Sequence, residues 1–228
     1  MANGSAEVEA QKQAAAERAL ELVRPGTIIG LGTGSTARYF IEGLAGKVRK
    51  GLKVQAVVTS SESRDQTRAG GISITETIDG WLDLAVDGAD EIDPAVNCVK
   101  GRGGALLREK IVAHASRRFI LIADESKLVG RLGRGAVPIE VLPFLWESTR
   151  RSIESLGGQP ELRMAAGRPF TSDNGNLILD TTFGVVDAAL SAALHAIPGV
   201  MEHGLFFGMA RAAIVGSATG IRVLGDLP

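Results

Sequence analysis

The chain has 228 residues, 45% hydrophobic and 22% charged, enough for one large domain or a medium domain beside a small one. Lys and Arg number 25 against 26 Asp and Glu, so no basic excess points to nucleic acid or an anionic membrane surface. A single cysteine excludes an internal disulfide framework, and no apolar run approaches the roughly 18 residues that span a bilayer.

The opening MANGSAEVEAQ lacks the charged and apolar regions of a signal peptide, and with one thiol it sets the expectation of a cytoplasmic protein. Glu7–Val23, rich in Ala, Glu and Leu, predicts a helix stopped by Arg24-Pro25-Gly26. An alternation follows. Strands are expected at Thr27–Leu31, Lys53–Val58, Ile72–Thr75, Leu82–Val86 and Phe119–Ala123, with helices at Ser35–Lys50, Glu62–Ala69 and Ala105–Ser116. Such an alternation means βαβ units and a mostly parallel sheet.

After Lys127 the rhythm changes. A glycine-rich stretch at Gly130–Gly135 and an extended segment broken by Pro138 and Pro143 lead to a helix at Trp146–Leu156. Glu161–Met164 and Leu177–Thr182 read as antiparallel strands around an Asp173-Asn174-Gly175-Asn176 turn, with a helix at Asp187–Ile197. Leu205–Phe207, Ala213–Val215 and Ile221–Leu224 are short strands expected to rejoin the first sheet.

Glycine is abundant, at 29 residues, and clusters at the ends of apolar runs. Gly30–Ala37 follows a strand and opens a helix, and Gly32-x-Gly34-x-x-Ala37 formally matches a dinucleotide-binding fingerprint. The tip of the next strand, Thr59-Ser60-Ser61, lacks the acid that would hold a ribose hydroxyl. The free N–H groups of the turn and the positive helix end still favour an anion, with hydroxyls of Thr33, Ser35 and Thr36 as further donors. A plain βα turn with Ser35 as cap is the competing reading.

The run Asp87–Lys110 concentrates chemistry. Asp87, Asp90, Glu91 and Asp93 end a strand, where open α/β sheets bind ligands. Asp87 and Asp90 suit sugar hydroxyls, while Glu91 and Asp93 read as a solvated turn. The spacing is not that of a calcium loop, and His114, His195 and His203 are scattered, so no metal centre is expected. Lys100, before Gly101-Arg102-Gly103-Gly104, reads as an electrophile or anion partner. Arg102 contributes either its side chain or only its backbone. In the next helix Leu107, Ile111 and Ala115 mark the core face, and Glu109 lies about 200° round from Leu107, facing water or a cleft. Taken alone, Glu109 is better explained by water. Lys127 stands at the same sheet edge, after Asp124-Glu125-Ser126.

GLGTGSTA (30–37), VVTSS (57–61), DGADEID (87–93), KGRGGALLREK (100–110) and ADESK (123–127) form an ordered set of blocks. PIEVLP (138–143), DNGNLILD (173–180) and IPGVMEHGLF (197–206) extend it. Together they resemble ribose-5-phosphate isomerase, type A. The resemblance implies an aldose–ketose isomerase interconverting ribose 5-phosphate and ribulose 5-phosphate, in the non-oxidative branch of the pentose phosphate pathway. It implies no metal or organic cofactor. It also implies a Rossmann-like domain (residues 1–127 plus 199–228), a smaller ferredoxin-like α+β domain (128–198) and a dimer or tetramer. By position, Glu109 is the proton acceptor of an enediolate mechanism. The blocks that contact substrate correspond to Thr33, Gly34, Ser35 and Thr36, to Asp87, Gly88, Ala89 and Asp90, to Lys100, Gly101, Arg102 and Gly103, and to Lys127. Lys100 would face the enediolate oxygens, and Asp87 and Asp90 would bind hydroxyls and help open the sugar ring. Two other readings are an NAD(P)-binding oxidoreductase, from the glycine fingerprint, and a non-catalytic sugar-phosphate sensor, for which the chain lacks a helix-turn-helix extension.

Overall fold

The computed structural model describes residues 2–227; Met1 and Pro228, both assigned above to the larger domain, lie outside the described residues. In the first half α1 (Ala2–Ala19), β1 (Ile28–Leu31), α2 (Ser35–Arg49), β2 (Gln55–Val58), α3 (Ser61–Ala69) and β3 (Ser73–Ile74) precede β4 (Leu84–Asp87). Then come a two-stranded ribbon, β5 (Glu91–Ile92) and β6 (Cys98–Val99), then α4 (Leu106–His114) and β7 (Phe119–Asp124). The smaller unit holds β8 (Val137–Val141), α5 (Trp146–Ser155), β9 (Gln159–Leu162), β10 (Met164–Ala165), β11 (Arg168–Pro169), β12 (Leu177–Thr182), α6 (Ala188–His195) and β13 (Val200–His203). The chain ends with β14 (Leu205–Phe206), β15 (Ala212–Ser217) and β16 (Gly220–Gly225).

Seven strands form the main sheet in the order β16-β15-β7-β4-β1-β2-β3. All neighbours are parallel except the β15–β16 hairpin. The chain runs outward from β1 through β2 and β3, then returns to β4 on the other side. The carboxyl ends of β1 and β4 therefore flank a topological switch point, where doubly wound sheets open a ligand crevice.

Alternation along the strands covers both faces. In β7, Ile120 and Ile122 join Phe40, Ile41 and Leu44 of α2 and Ala15, Ala16 and Ala19 of α1. Leu121 and Ala123 point the other way, toward Val112 and Ala113 of α4 and Phe206. Full burial of a side chain such as Phe40 contributes about 1.5–3 kcal/mol. Among the described residues no helix is long and apolar enough to cross a membrane.

The smaller unit follows β8-α5-β9-β12-α6-β13, and its strands lie in the order β13-β8-β12-β9, all antiparallel. This is the ferredoxin-like βαββαβ arrangement. Three expectations change here. Its sheet extends to His203, past the expected limit at 198, because Val200–His203 pairs with β8. The Leu205–Phe206 strand does not rejoin the main sheet but pairs with β6. Finally, β9 and β12 do pair, but the β10–β11 hairpin lies between them, and the Asp173–Asn176 turn closes only the Thr171–Leu177 bridge.

Candidate active site

Two glycine turns and one acidic loop meet at the switch point. Leaving β1, the backbone passes so close to β4 that a Cβ on Gly32 would sit 2.0 Å from the Asp87 carboxyl group. Gly34 then adopts φ 108° at the start of α2, a conformation that side chains disfavour. Thr33 is held between them: its N–H donates to Asp87 Oδ1 (3.1 Å), and its hydroxyl bonds Thr59 and Ser60 (2.7 Å each). The Thr33 hydroxyl is thus committed to protein and is not the free donor expected. The tip of β2, where a dinucleotide site wants an acid, is likewise taken by these hydroxyls.

From β6 the chain delivers Lys100, whose ammonium bonds the Gly88 carbonyl (2.6 Å) and lies 3.0 Å from Asp87 Oδ2 and 3.4 Å from Glu109 Oε1. All three charged side chains are buried, at 3–5% exposure. One cation is thus set between two carboxylates. Burial works against the Lys100 charge, but Asp87 and Glu109 outweigh it and hold its pKa above the ordinary range. Glu109 is pushed up to about 8 by burial and by the Asp87 carboxylate, against the pull of Lys100. Burial raises Asp87 too, opposed by Lys100 and by the Gly88 and Thr33 N–H groups. Among the described residues Glu109 Oε2 has no hydrogen-bond partner. Both carboxyl groups are thus held above their ordinary range, and Asp87 has backbone N–H donors opposing that shift which Glu109 lacks.

The cleft above this trio measures about 230 Å³. Thr33, Gly34, Ser35 and Thr36 line one wall, Gly88, Ala89 and Asp90 another, and Lys100, Gly101, Arg102 and Gly103 a third, with Glu109 and Lys127 completing it. Asp87 is the exception among the expected residues: it lies behind Lys100 and does not line the cleft. Asp90 accepts the Arg102 N–H (3.0 Å), so the Arg102 backbone is engaged, while its side chain is 56% exposed. Lys127, on the single helical turn after β7, makes no ion pair among the described residues.

Residues 55–220 match the family model for ribose 5-phosphate isomerase A (phosphoriboisomerase A). The chain belongs to that family. Proteins named ribose-5-phosphate isomerase A from Nitrobacter hamburgensis and Methanothermobacter thermautotrophicus are 51% and 44% identical, covering 95% and 93% of this chain and 98% and 96% of their own lengths. Among solved structures, a D-ribose-5-phosphate isomerase in complex with phospho-erythronic acid superposes with a TM-score of 0.92 at 39% identity, covering 96% of this chain and 99% of that one. The Plasmodium falciparum ribose 5-phosphate isomerase gives 0.91 at 35% identity, covering 96% of this chain and all of its own (100%).

Within this family frame, four features were not read from the sequence. Glu91 is not solvated: it is buried, and its carboxylate accepts the N–H groups of Gly133, Arg134 and Gly135 at 2.5–3.2 Å. Its partners lie some forty residues downstream, beyond any local spacing rule. Asp93 does close its own turn, accepting from the N–H groups of Ala95 and Asn97 (2.9 Å each). Arg163 reaches from the smaller unit to the carbonyls of Gly101 and Arg102 (3.0 Å each) and is itself braced by Asp180 (2.8 Å). His195 and His203, scattered in sequence, are 3.0 Å apart and share a cluster with Glu202, where the Lys110 ammonium supplies the positive charge. Last, the expected core face of α4 is inverted: Ile111 is 58% exposed, whereas Glu109 is buried.

Proposed function

We propose that the chain, as a member of the ribose 5-phosphate isomerase A family, interconverts ribose 5-phosphate and ribulose 5-phosphate through an enediolate. The observation that carries this reading is the Glu109 carboxylate held 3.4 Å from the Lys100 ammonium at the floor of a cleft of about 230 Å³. Glu109, deprotonated, takes the C2 proton of the open-chain aldose and returns it to C1. The proton on O2 moves to O1, so the carbonyl passes from C1 to C2 with no net loss of atoms. Lys100 faces the oxygens as negative charge develops there, usually the larger share of the acceleration. The phospho-erythronic acid bound by the solved relative supports this, since its carboxylate sets two oxygens side by side much as an enediolate does.

Asp87, being behind Lys100, is assigned to holding that ammonium in place. Asp90, which lines the cleft, is assigned to the sugar hydroxyls and ring opening. The phosphate is placed at the N–H groups of Gly34, Ser35 and Thr36, where α2 presents unpaired donors and its positive end, with Lys127 as counter-charge. With one buried thiol and exposed Phe144 and Leu145 (74% and 62%), we further place the enzyme in the cytoplasm as a homo-oligomer, dimer or tetramer. A monomer by light scattering at assay concentration would refute the assembly.

The test is an isomerase assay on ribose 5-phosphate, with Lys127→Ala alongside. Wild type should turn over; absence of turnover would remove the reading. Lys127→Ala should raise KM about ten-fold and leave kcat within about two-fold, as expected for a group that binds ground and transition states alike. A large kcat loss at constant KM would move the phosphate elsewhere.

A further inference from the structure

The nine residues of α4 hold a conflict between pattern and placement. Leu106, Val112 and Ala113 are buried and set one face of the helix against the core, whereas Ile111 faces water. That rotation also buries two consecutive charged residues, Glu109 and Lys110, at 5% and 9% exposure. Burying adjacent charges is costly unless each is paired and hydrogen-bonded, so the apolar face alone does not hold this orientation. Glu109 is poorly suited to do so, with one long contact to Lys100 and one unpartnered oxygen.

Lys110 has a complete seat. Its ammonium donates to Glu202 Oε1 (2.6 Å) and to the His203 carbonyl (2.6 Å), both on β13, and lies 3.3 Å from His203 Nδ1. Glu202 Oε1 is fixed in turn by the His203 N–H (2.8 Å) and lies 3.0 Å from His195 Nε2. The Leu205 N–H also donates to His203 Nδ1 (3.2 Å), so that nitrogen is the acceptor and the ring proton sits on Nε2, facing the Ser191 carbonyl (3.0 Å). Burial, with Lys110 and His195 nearby, depresses the His203 pKa to about 3, which keeps the ring neutral beside a cation. The Phe206 ring separates the two lysines, 4.8 Å from the Lys110 ammonium and 5.8 Å from that of Lys100.

Successive residues on a helix point about 100° apart. With Lys110 locked onto β13, its neighbour is turned to the cleft. We propose that Lys110, seated on Glu202 and His203, is the positioning residue that sets the rotation of α4 and aims Glu109 at Lys100. Its kinetic consequence rests on the isomerase reading above, whereas its geometric one does not.

Lys110→Met keeps the stem and removes the charge. The expected result is a kcat lower by about 10- to 100-fold with KM within about two-fold, because misplacing a reacting group costs rate more than binding. The second readout is the Glu109 carboxyl titration, followed by carbon NMR on protein with labelled glutamate. Glu109 faces Lys100, Asp87 and Asp90; once α4 can turn it toward water, its midpoint should fall by at least about one pH unit. A wild-type kcat and an unmoved titration, even with a lower Tm, would reduce Lys110 to ordinary packing and overturn the proposal. Should Lys110→Met not fold, Glu202→Gln unseats the same ammonium and is read the same way. If wild type itself fails to isomerise ribose 5-phosphate, the function falls, yet the titration still decides the role of Lys110.

Discussion

Replacing Glu109 with Gln is expected to lower kcat by about 10²- to 10⁴-fold while KM stays within about two-fold. Glutamine fills the same volume and can still accept from Lys100, so substrate should bind, but an amide cannot take the C2 proton. The same group predicts the pH dependence. Only the carboxylate is a base, so kcat/KM of the wild type should climb as pH rises toward the Glu109 midpoint near 8. Stability should run the other way. Between its ordinary value of 4.5 and about 8 the folded protein keeps a proton that the unfolded chain has released. Stability contributed by that proton is full below 4.5 and is lost as pH rises through about 8. Glu109→Gln should lack this slope and be the more stable protein at alkaline pH, an instance of strain kept for activity. Chemical denaturation at two pH values, with steady-state kinetics, checks both; parallel stability curves would show that Glu109 is not the buried proton carrier.

Lys100→Met should cost at least about 10²- to 10³-fold in kcat, comparable with removing one donor from an oxyanion hole, or roughly 2.7–4 kcal/mol of barrier. The loss has two sources. The developing enediolate no longer meets a positive charge, and Glu109, with Asp87 still beside it, is harder to ionise. Folding should survive at acid and neutral pH, because the carboxyl groups can remain protonated. It should weaken more steeply with rising pH than in wild type, since two buried carboxylates would then lack their shared cation. Lys100→Arg should not restore the rate, because a planar guanidinium cannot occupy a seat shaped by Gly88, Asp87 and Glu109 around a compact ammonium. Turnover within about three-fold of wild type in Lys100→Met would remove the electrophile from the mechanism.

Local chemistry made the frame legible. Apolar strands ending in glycine turns announced the parallel sheet, and the positions of Gly34, Asp90, Lys100 and Lys127 just past strand ends brought them to one crevice. What stayed hidden depended on distant partners. The buried ion pair of Asp87 with Lys100 joins residues 13 positions apart, which no local spacing rule brings together. Glu91 was expected in water because its three N–H donors belong to another loop. The inverted face of α4 follows the same logic. Helical periodicity does not say which of two apolar sets is buried, and here Leu106, Val112 and Ala113, together with the ionic seats on β6 and β13, prevail over Ile111. Proline left β8 as no more than an extended segment, and it is a strand because it pairs with β12 and β13.

The ferredoxin-like unit lines none of the cleft, yet it grips the catalytic half of the molecule at several points. Arg163 holds the carbonyls of Gly101 and Arg102, Glu202 takes the Lys110 ammonium, and Asn174 accepts from Arg108 Nε (2.7 Å). The Asn174 turn is itself organised by the buried Glu140 carboxylate, which accepts from Ser172, Asn174 and Asn176 at 2.8–3.0 Å. Every clamp joins segments more than fifty residues apart, so each closes only after both sheets exist. Catalytic competence is therefore a late event in the life of the chain. On refolding, the circular dichroism of helices and strands should recover first and turnover last. Activity that returned with the earliest phase would mean that Lys100 and Glu109 find each other unaided.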